Sequence, residues 1–111
     1  MAIVGAISTT TAYAATSSVN VGGSNIAPTG KTISATNIGH TGENFGNVTF
    51  VSYAKKVRAY QLDLTINSAT LYAGDDFVRY ASPGSGKYYV KAKVTGSGAY
   101  YASGVSSVWS R

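Results

Sequence analysis

Gly86-Lys-Tyr-Tyr-Val-Lys-Ala-Lys-Val-Thr-Gly96 is the stretch that decides the fold. Tyr88, Val90, Ala92 and Val94 occupy alternate positions, with Tyr89, Lys91 and Lys93 between them. An extended chain repeats every two residues, so this spacing gathers the aliphatic side chains on one face and the lysines on the other. A helix would scatter both sets around its circumference. The spacing therefore predicts a central antiparallel strand of a half-buried sheet.

Working outward, residues 57–66 alternate as clearly. Tyr60, Leu62, Leu64 and Ile66 share one face, and Ala59, Gln61, Asp63 and Thr65 the other, which predicts a second central strand. Asn67-Ser68 reads as a tight turn into Ala69-Thr-Leu-Tyr72, and Ala73-Gly-Asp-Asp76 breaks the chain before Phe77-Val-Arg-Tyr80. Ser82-Pro-Gly-Ser-Gly86 is the strongest turn signal, because proline presets one dihedral and glycine admits positive φ. Upstream, residues 31–38 read as a strand with Ile33, Ala35 and Ile38 inward, residues 39–46 as a glycine-containing loop, and residues 48–53 as a strand burying Phe50. Lys55-Lys56 reads as an exposed connection. Downstream, Thr95-Gly-Ser-Gly98 is a loop, and Val105-Ser-Ser-Val-Trp109 a last strand.

About seven short strands at turn spacings of this kind predict an all-β fold, an antiparallel two-sheet sandwich or small barrel. Composition agrees. The chain has 111 residues with 13 glycines and nine tyrosines, and lacks the Ala, Leu, Glu and Lys runs of helical proteins. That length makes one domain, taken as residues 31–111.

The start of the chain is read differently. Met1-Ala-Ile-Val-Gly-Ala-Ile7 is apolar, and Ala12-Tyr-Ala14 places small residues where signal peptidase requires them. Residues 1–14 are thus expected to be a signal-peptide remnant, or else an N-terminal arm donated to a neighbour in a homo-oligomer. Either way they are too short to span a bilayer. Residues 15–30 read as a Ser/Gly-rich linker in which Ser18-Val-Asn-Val21 pairs briefly at a sheet edge.

From Ala59 onward the sequence resembles bacterial fibronectin type III-like, that is immunoglobulin-like, domains. Ala59-Tyr-Gln-Leu-Asp-Leu64, Gly86-Lys-Tyr-Tyr-Val-Lys-Ala-Lys-Val-Thr-Gly-Ser-Gly-Ala-Tyr-Tyr-Ala-Ser103 and Ser107-Val-Trp-Ser110 carry the likeness, over about half the chain. The resemblance implies that the strands around Tyr60 and Tyr88 are neighbours in one sheet. It also implies that Tyr88 is a corner tyrosine, its ring in the core and its hydroxyl bonded to backbone near the Pro83 turn. Tyr60, Tyr88 and Trp109 are then structural residues, and Phe50 stands nearest to the tryptophan that such domains carry on an earlier strand.

Few residues point to chemistry. There is no cysteine, so no disulfide, thiolate metal site or cysteine nucleophile. The single histidine, His40, lies in a Gly-His-Thr-Gly segment read as an exposed loop, without the companions a metal or a nucleophilic serine needs. Asp75-Asp76 reads as a solvated turn; neighbouring residues on a strand point apart and calcium needs more oxygen ligands. Glu43 and Asp63 suggest no carboxylate dyad. We expect neither an enzyme nor a cofactor.

What remains is a surface. Nine basic residues against four acids give a net charge of +5 without a basic run, which favours an anionic partner but no specific nucleic acid. Tyr89, Lys91 and Lys93 beside Gln61 and Asp63 would form an aromatic and basic face, with Tyr100 and Tyr101 as a rim. The expected function is a non-enzymatic binding or spacer module of an exported bacterial protein, secreted or at the cell surface, meeting a protein or an anionic or polysaccharide ligand. The alternatives are a carbohydrate- or cell-wall-binding module, and a structural subunit of a phage or surface assembly that uses residues 1–14 as an arm.

Overall fold

The computed structural model describes residues 15–111. The signal remnant or arm expected for residues 1–14 lies outside the described residues. Eight strands follow: β1 (Thr16–Gly22), β2 (Ile33–Ala35), β3 (Ile38–Asn44), β4 (Phe50–Lys56), β5 (Leu64–Leu71), β6 (Asp76–Ala81), β7 (Gly86–Val94) and β8 (Ser103–Ser110), with a 3-10 turn at Ala99–Tyr101.

The pairing obeys one rule. β1 pairs with β8, β2 with β7, β3 with β6 and β4 with β5, all antiparallel, as in one long hairpin doubled about residues 57–63. Rolling that hairpin up sets β8 beside β3 and β7 beside β4, again antiparallel. Two four-stranded sheets result, ordered β1-β8-β3-β6 and β2-β7-β4-β5. The expected all-β, two-sheet antiparallel sandwich is what the chain forms, with eight strands among the described residues. Among the described residues the first strand lies beside the last, the connectivity of a jelly roll, whereas immunoglobulin-type sandwiches place strands A, B, E and D in one sheet and C, F and G in the other.

β7 is central, flanked by β2 and β4, and buries Tyr88, Val90 and Ala92. These meet Phe50 and Ala54 of β4, Ile33 of β2, and Val19, Val21, Ile38 and Val108 from the opposite sheet in one core. The Tyr88 hydroxyl donates to the Gly84 carbonyl in the turn before β7. Lys56 Nζ sits 5.5 Å over the same ring and donates to the Pro83 carbonyl at 3.2 Å.

Several local expectations are corrected. Residues 57–63 are a turn and not the first part of a strand. Tyr60 adopts φ 61°, outside any strand, so Tyr60 neither heads a central strand nor packs beside Tyr88. The alternation there is real but finds no second layer to cover it. β5 instead starts at Leu64, runs through Asn67-Ser68 without turning, and forms the sheet edge beside β4. Its register slips between Ala54 and Lys55, a bulge that turns both Ile66 and Asn67 partly inward.

The segment read as residues 31–38 divides. Thr36-Asn37 carries the chain from one sheet to the other, and the supposed loop beyond it is β3, a strand between β8 and β6. Its glycines are hollows for aromatic rings, since a Cβ at Gly39 would overlap Trp109 and one at Gly42 would crowd Phe77. Trp109 accordingly lies on the outer face of its sheet, edge-on to Tyr80 with ring centroids 6.3 Å apart, and not in the core. Residues 15–30, expected as a linker, are built into the sandwich. β1 is a full edge strand, and Ile26, Pro28 and Gly30 exchange backbone hydrogen bonds with Val94, Ala92 and Val90 of β7.

Candidate functional site

The outer face of the β2-β7-β4-β5 sheet follows from register. β7 and β4 pair Lys93 with Val51, Lys91 with Tyr53, and Tyr89 with Lys55, so ammonium groups and phenol rings alternate across the two central strands. Lys55 Nζ lies 5.9 Å from the Tyr53 ring centroid and donates to Thr65 Oγ1 at 2.8 Å. Tyr53, Lys55, Lys91 and Lys93 line a shallow hollow of about 310 Å³. No acid lines it. An aromatic floor walled by three lysines can stack an apolar ring face and pair with anionic groups at its edge.

Tyr89 has a different role. Its hydroxyl donates to Asp63 Oδ2 at 2.5 Å, which pins the end of the 57–63 turn to the sheet. Loss of water contact and the Asp63 carboxylate push the Tyr89 phenol up to about 12, and the same hydrogen bond holds the Asp63 carboxyl below its ordinary range. Of the residues expected to form one face, Lys91 and Lys93 line the hollow and Tyr89 borders it. Gln61 is in the exposed turn at the β4 end of the sandwich. Tyr100 and Tyr101, edge-on to one another at 5.7 Å, follow β7 at the opposite end, where Gly23 N–H donates to the Tyr100 carbonyl. Five residues of strand, roughly 16 Å, separate Tyr89 from that end, so these tyrosines are no rim to the face. Tyr53 is the residue that sequence reasoning missed. Its outward position was readable from the alternation around Phe50, but the pairing of β4 with β7 was not.

A second cluster lies inside the sandwich. His40 on β3 is fully buried, correcting the exposed loop histidine expected. His40 Nδ1 makes a hydrogen bond with the Asn67 side-chain amide on β5, and His40 Nε2 shares one of 2.8 Å with Ser52 Oγ of β4. Ser106 of β8 lies in hydrogen-bond contact with Ser52 Oγ and donates to the Thr41 carbonyl at 2.7 Å. Phe77 packs edge-on to the imidazole at 4.7 Å. Burial, reinforced by the Arg79 guanidinium, lowers the His40 pKa from 6.5 to about 4 despite the Asn67 bond, so the ring is neutral at physiological pH. The order Asn-His-Ser imitates a hydrolytic relay, yet Ser52 is wholly enclosed and no substrate carbonyl can approach it. The network satisfies buried polar groups.

Asp75 is likewise structural. Asp75 Oδ2 accepts the Tyr72 N–H at 2.9 Å and closes the β5–β6 turn. Among the described residues, no cluster of three His, Cys, Asp or Glu could hold a metal, and no helix is long and apolar enough to cross a membrane.

Fold and face together define a small jelly-roll sandwich carrying a cationic, aromatic sheet surface. No family model and no curated protein matches the chain. Among solved structures, the Yersinia pseudotuberculosis-derived mitogen is similar at TM-score 0.48 and 12% identity, over 87% of this chain and 84% of that one.

Proposed function

We propose that this chain is a non-enzymatic binding module of an exported bacterial protein, working at or near the cell surface, and that the β4–β7 face holds an anionic polysaccharide or a teichoic-acid-like polymer. One observation carries the reading: Lys55, Lys91 and Lys93 surround the Tyr53 ring with no carboxylate among them. Charged sugar polymers present flat ring faces and repeated anions, and this face offers a partner to each. Kinship with fibronectin type III-like domains would rest on the short motifs alone, and the pairing of β1 with β8 favours a jelly roll instead.

Affinity electrophoresis of the full chain in gels containing polygalacturonate, against gels containing neutral dextran, tests it. The proposal expects retardation in the acidic polymer only, falling about tenfold in Lys91→Ala/Lys93→Ala and again in Tyr53→Ala, and weakening as salt is raised. Equal mobility in both gels would overturn it. Tyr89→Ala should act less strongly than Tyr53→Ala, since the Tyr89 hydroxyl is already engaged by Asp63.

A further inference from the structure

The turn that corrects the sequence reading raises its own question. Residues 57–63 sit at the fold of the long hairpin and hold the most exposed large apolar side chains of the described chain, Tyr60 at 107% and Leu62 at 86% of full exposure, with Val57 and Leu64 exposed beside them. A bulky residue at positive φ costs energy, and a loop that needed only to connect two strands would carry glycine or asparagine at this position. The turn is also firmly built. Arg58 Nε–H donates to the Leu62 carbonyl at 2.9 Å, and Asp63 accepts both the Arg58 N–H and the Tyr89 hydroxyl. Arginine and aspartate thus brace the base while tyrosine and leucine project from the tip. That arrangement gives water what it least favours on a rigid support.

Charge says what covers the tip. Lys56 of β4 pairs with Tyr88, next to Lys87, and Arg111 donates its backbone N–H to Asn37 where β2 passes to β3, so Lys55, Lys56, Arg58, Lys87 and Arg111 all lie at the end of the sandwich that bears this turn. The one acid there, Asp63, is spent on Tyr89 and Arg58. Glu43, Asp75 and Asp76, three of the four acids, gather at the other end, where Glu43 pairs with Asp76. The molecule therefore has a basic end tipped with apolar side chains and an acidic end facing away. We propose that the 57–63 turn docks on an anionic phospholipid surface, Tyr60 and Leu62 entering the headgroup boundary and the surrounding lysines and arginines resting on the phosphates. A tyrosine suits that depth because its ring is apolar and its hydroxyl wet. This site shares Lys55 with the polymer face but has its own apolar tip, and stands or falls without it.

The test is sedimentation of the full chain with phosphatidylcholine vesicles containing phosphatidylglycerol, against phosphatidylcholine alone. The proposal expects binding to the anionic vesicles only, reduced about tenfold in Tyr60→Ser/Leu62→Ser, whose circular dichroism and polygalacturonate retardation stay those of the parent. Because the chain has no cysteine, Leu62→Cys accepts a single environment-sensitive dye, which should shift to the blue on anionic vesicles, while the same dye at Ser97→Cys, at the opposite end, should not. Absence of binding to anionic vesicles overturns the proposal. So does binding that the double variant retains, which would assign it to the lysine face. Self-association of the parent chain without lipid, lost in the double variant, also overturns it, because a second copy would then cover the tip.

Discussion

Tyr88 and His40 are both rings with polar tips, fully enclosed in the same sandwich, and the fold treats them in opposite ways. Tyr88 has a single hydroxyl to satisfy, and it reaches the Gly84 carbonyl four residues back along its own chain. His40 has two nitrogens in the middle of the core, and three other strands supply what they and the neighbouring hydroxyls require: Asn67 from β5, Ser52 from β4 and Ser106 from β8. A polar atom at the rim of a core can be settled locally, whereas one at its centre obliges distant strands to carry polar residues inward. The core around Phe50 and Val90 is consequently apolar, and the core around His40 carries a group that acid can charge.

Measurements of stability break or sharpen that contrast. The largest effect belongs to the apolar half: Phe50→Ala, removing a wholly buried ring, should cost about 4 kcal/mol by urea denaturation at any pH from 5 to 8. Next comes acid. The unfolded histidine takes up a proton near 6.5 and the folded one only at about 4, so stability is complete above the first value and falls as pH drops toward the second. The gap corresponds to about 3 kcal/mol, and His40→Gln, which keeps polar atoms but does not titrate, should lose that slope. Equal slopes in parent and variant would mean that His40 is charged inside the fold.

Ser52→Ala should cost about 2 kcal/mol, because it strips His40 Nε2 of its buried hydrogen-bond partner. Tyr88→Phe, measured the same way, should cost about 1 kcal/mol, the smallest effect, since only one hydroxyl at the rim loses its partner. If Tyr88→Phe proved worse than Ser52→Ala, the distinction between rim and centre would fail.

The same distinction explains what could be read in advance. β7 announced itself because its two faces meet different media, core and water, and each left its mark at alternate positions. β3 carries Gly39, His40, Gly42 and Asn44, all buried, and reads as a loop because its burial is by aromatic rings lying over glycine and by polar atoms bonded to other strands. Residues 57–63 deceive in the other direction, since alternation records which side chains share a face and not whether anything covers that face. Lys91 and Lys93 of the candidate face were legible for the same reason as β7. Tyr53 was not, because its place beside them depends on which strand lies next to β7.

By itself, then, the sequence determined the class of fold, the strand that runs through the middle of one sheet, and the sign of the charge that this strand shows to water. These are local consequences of period-two spacing and glycine-punctuated turns. The tertiary structure alone decided that the first described strand pairs with the last, that His40 is buried and neutral, that Tyr53 joins the lysines, and that the Tyr60 turn stands clear of the core. Each of those depends on contacts between residues far apart in the chain, which no local pattern of side chains encodes.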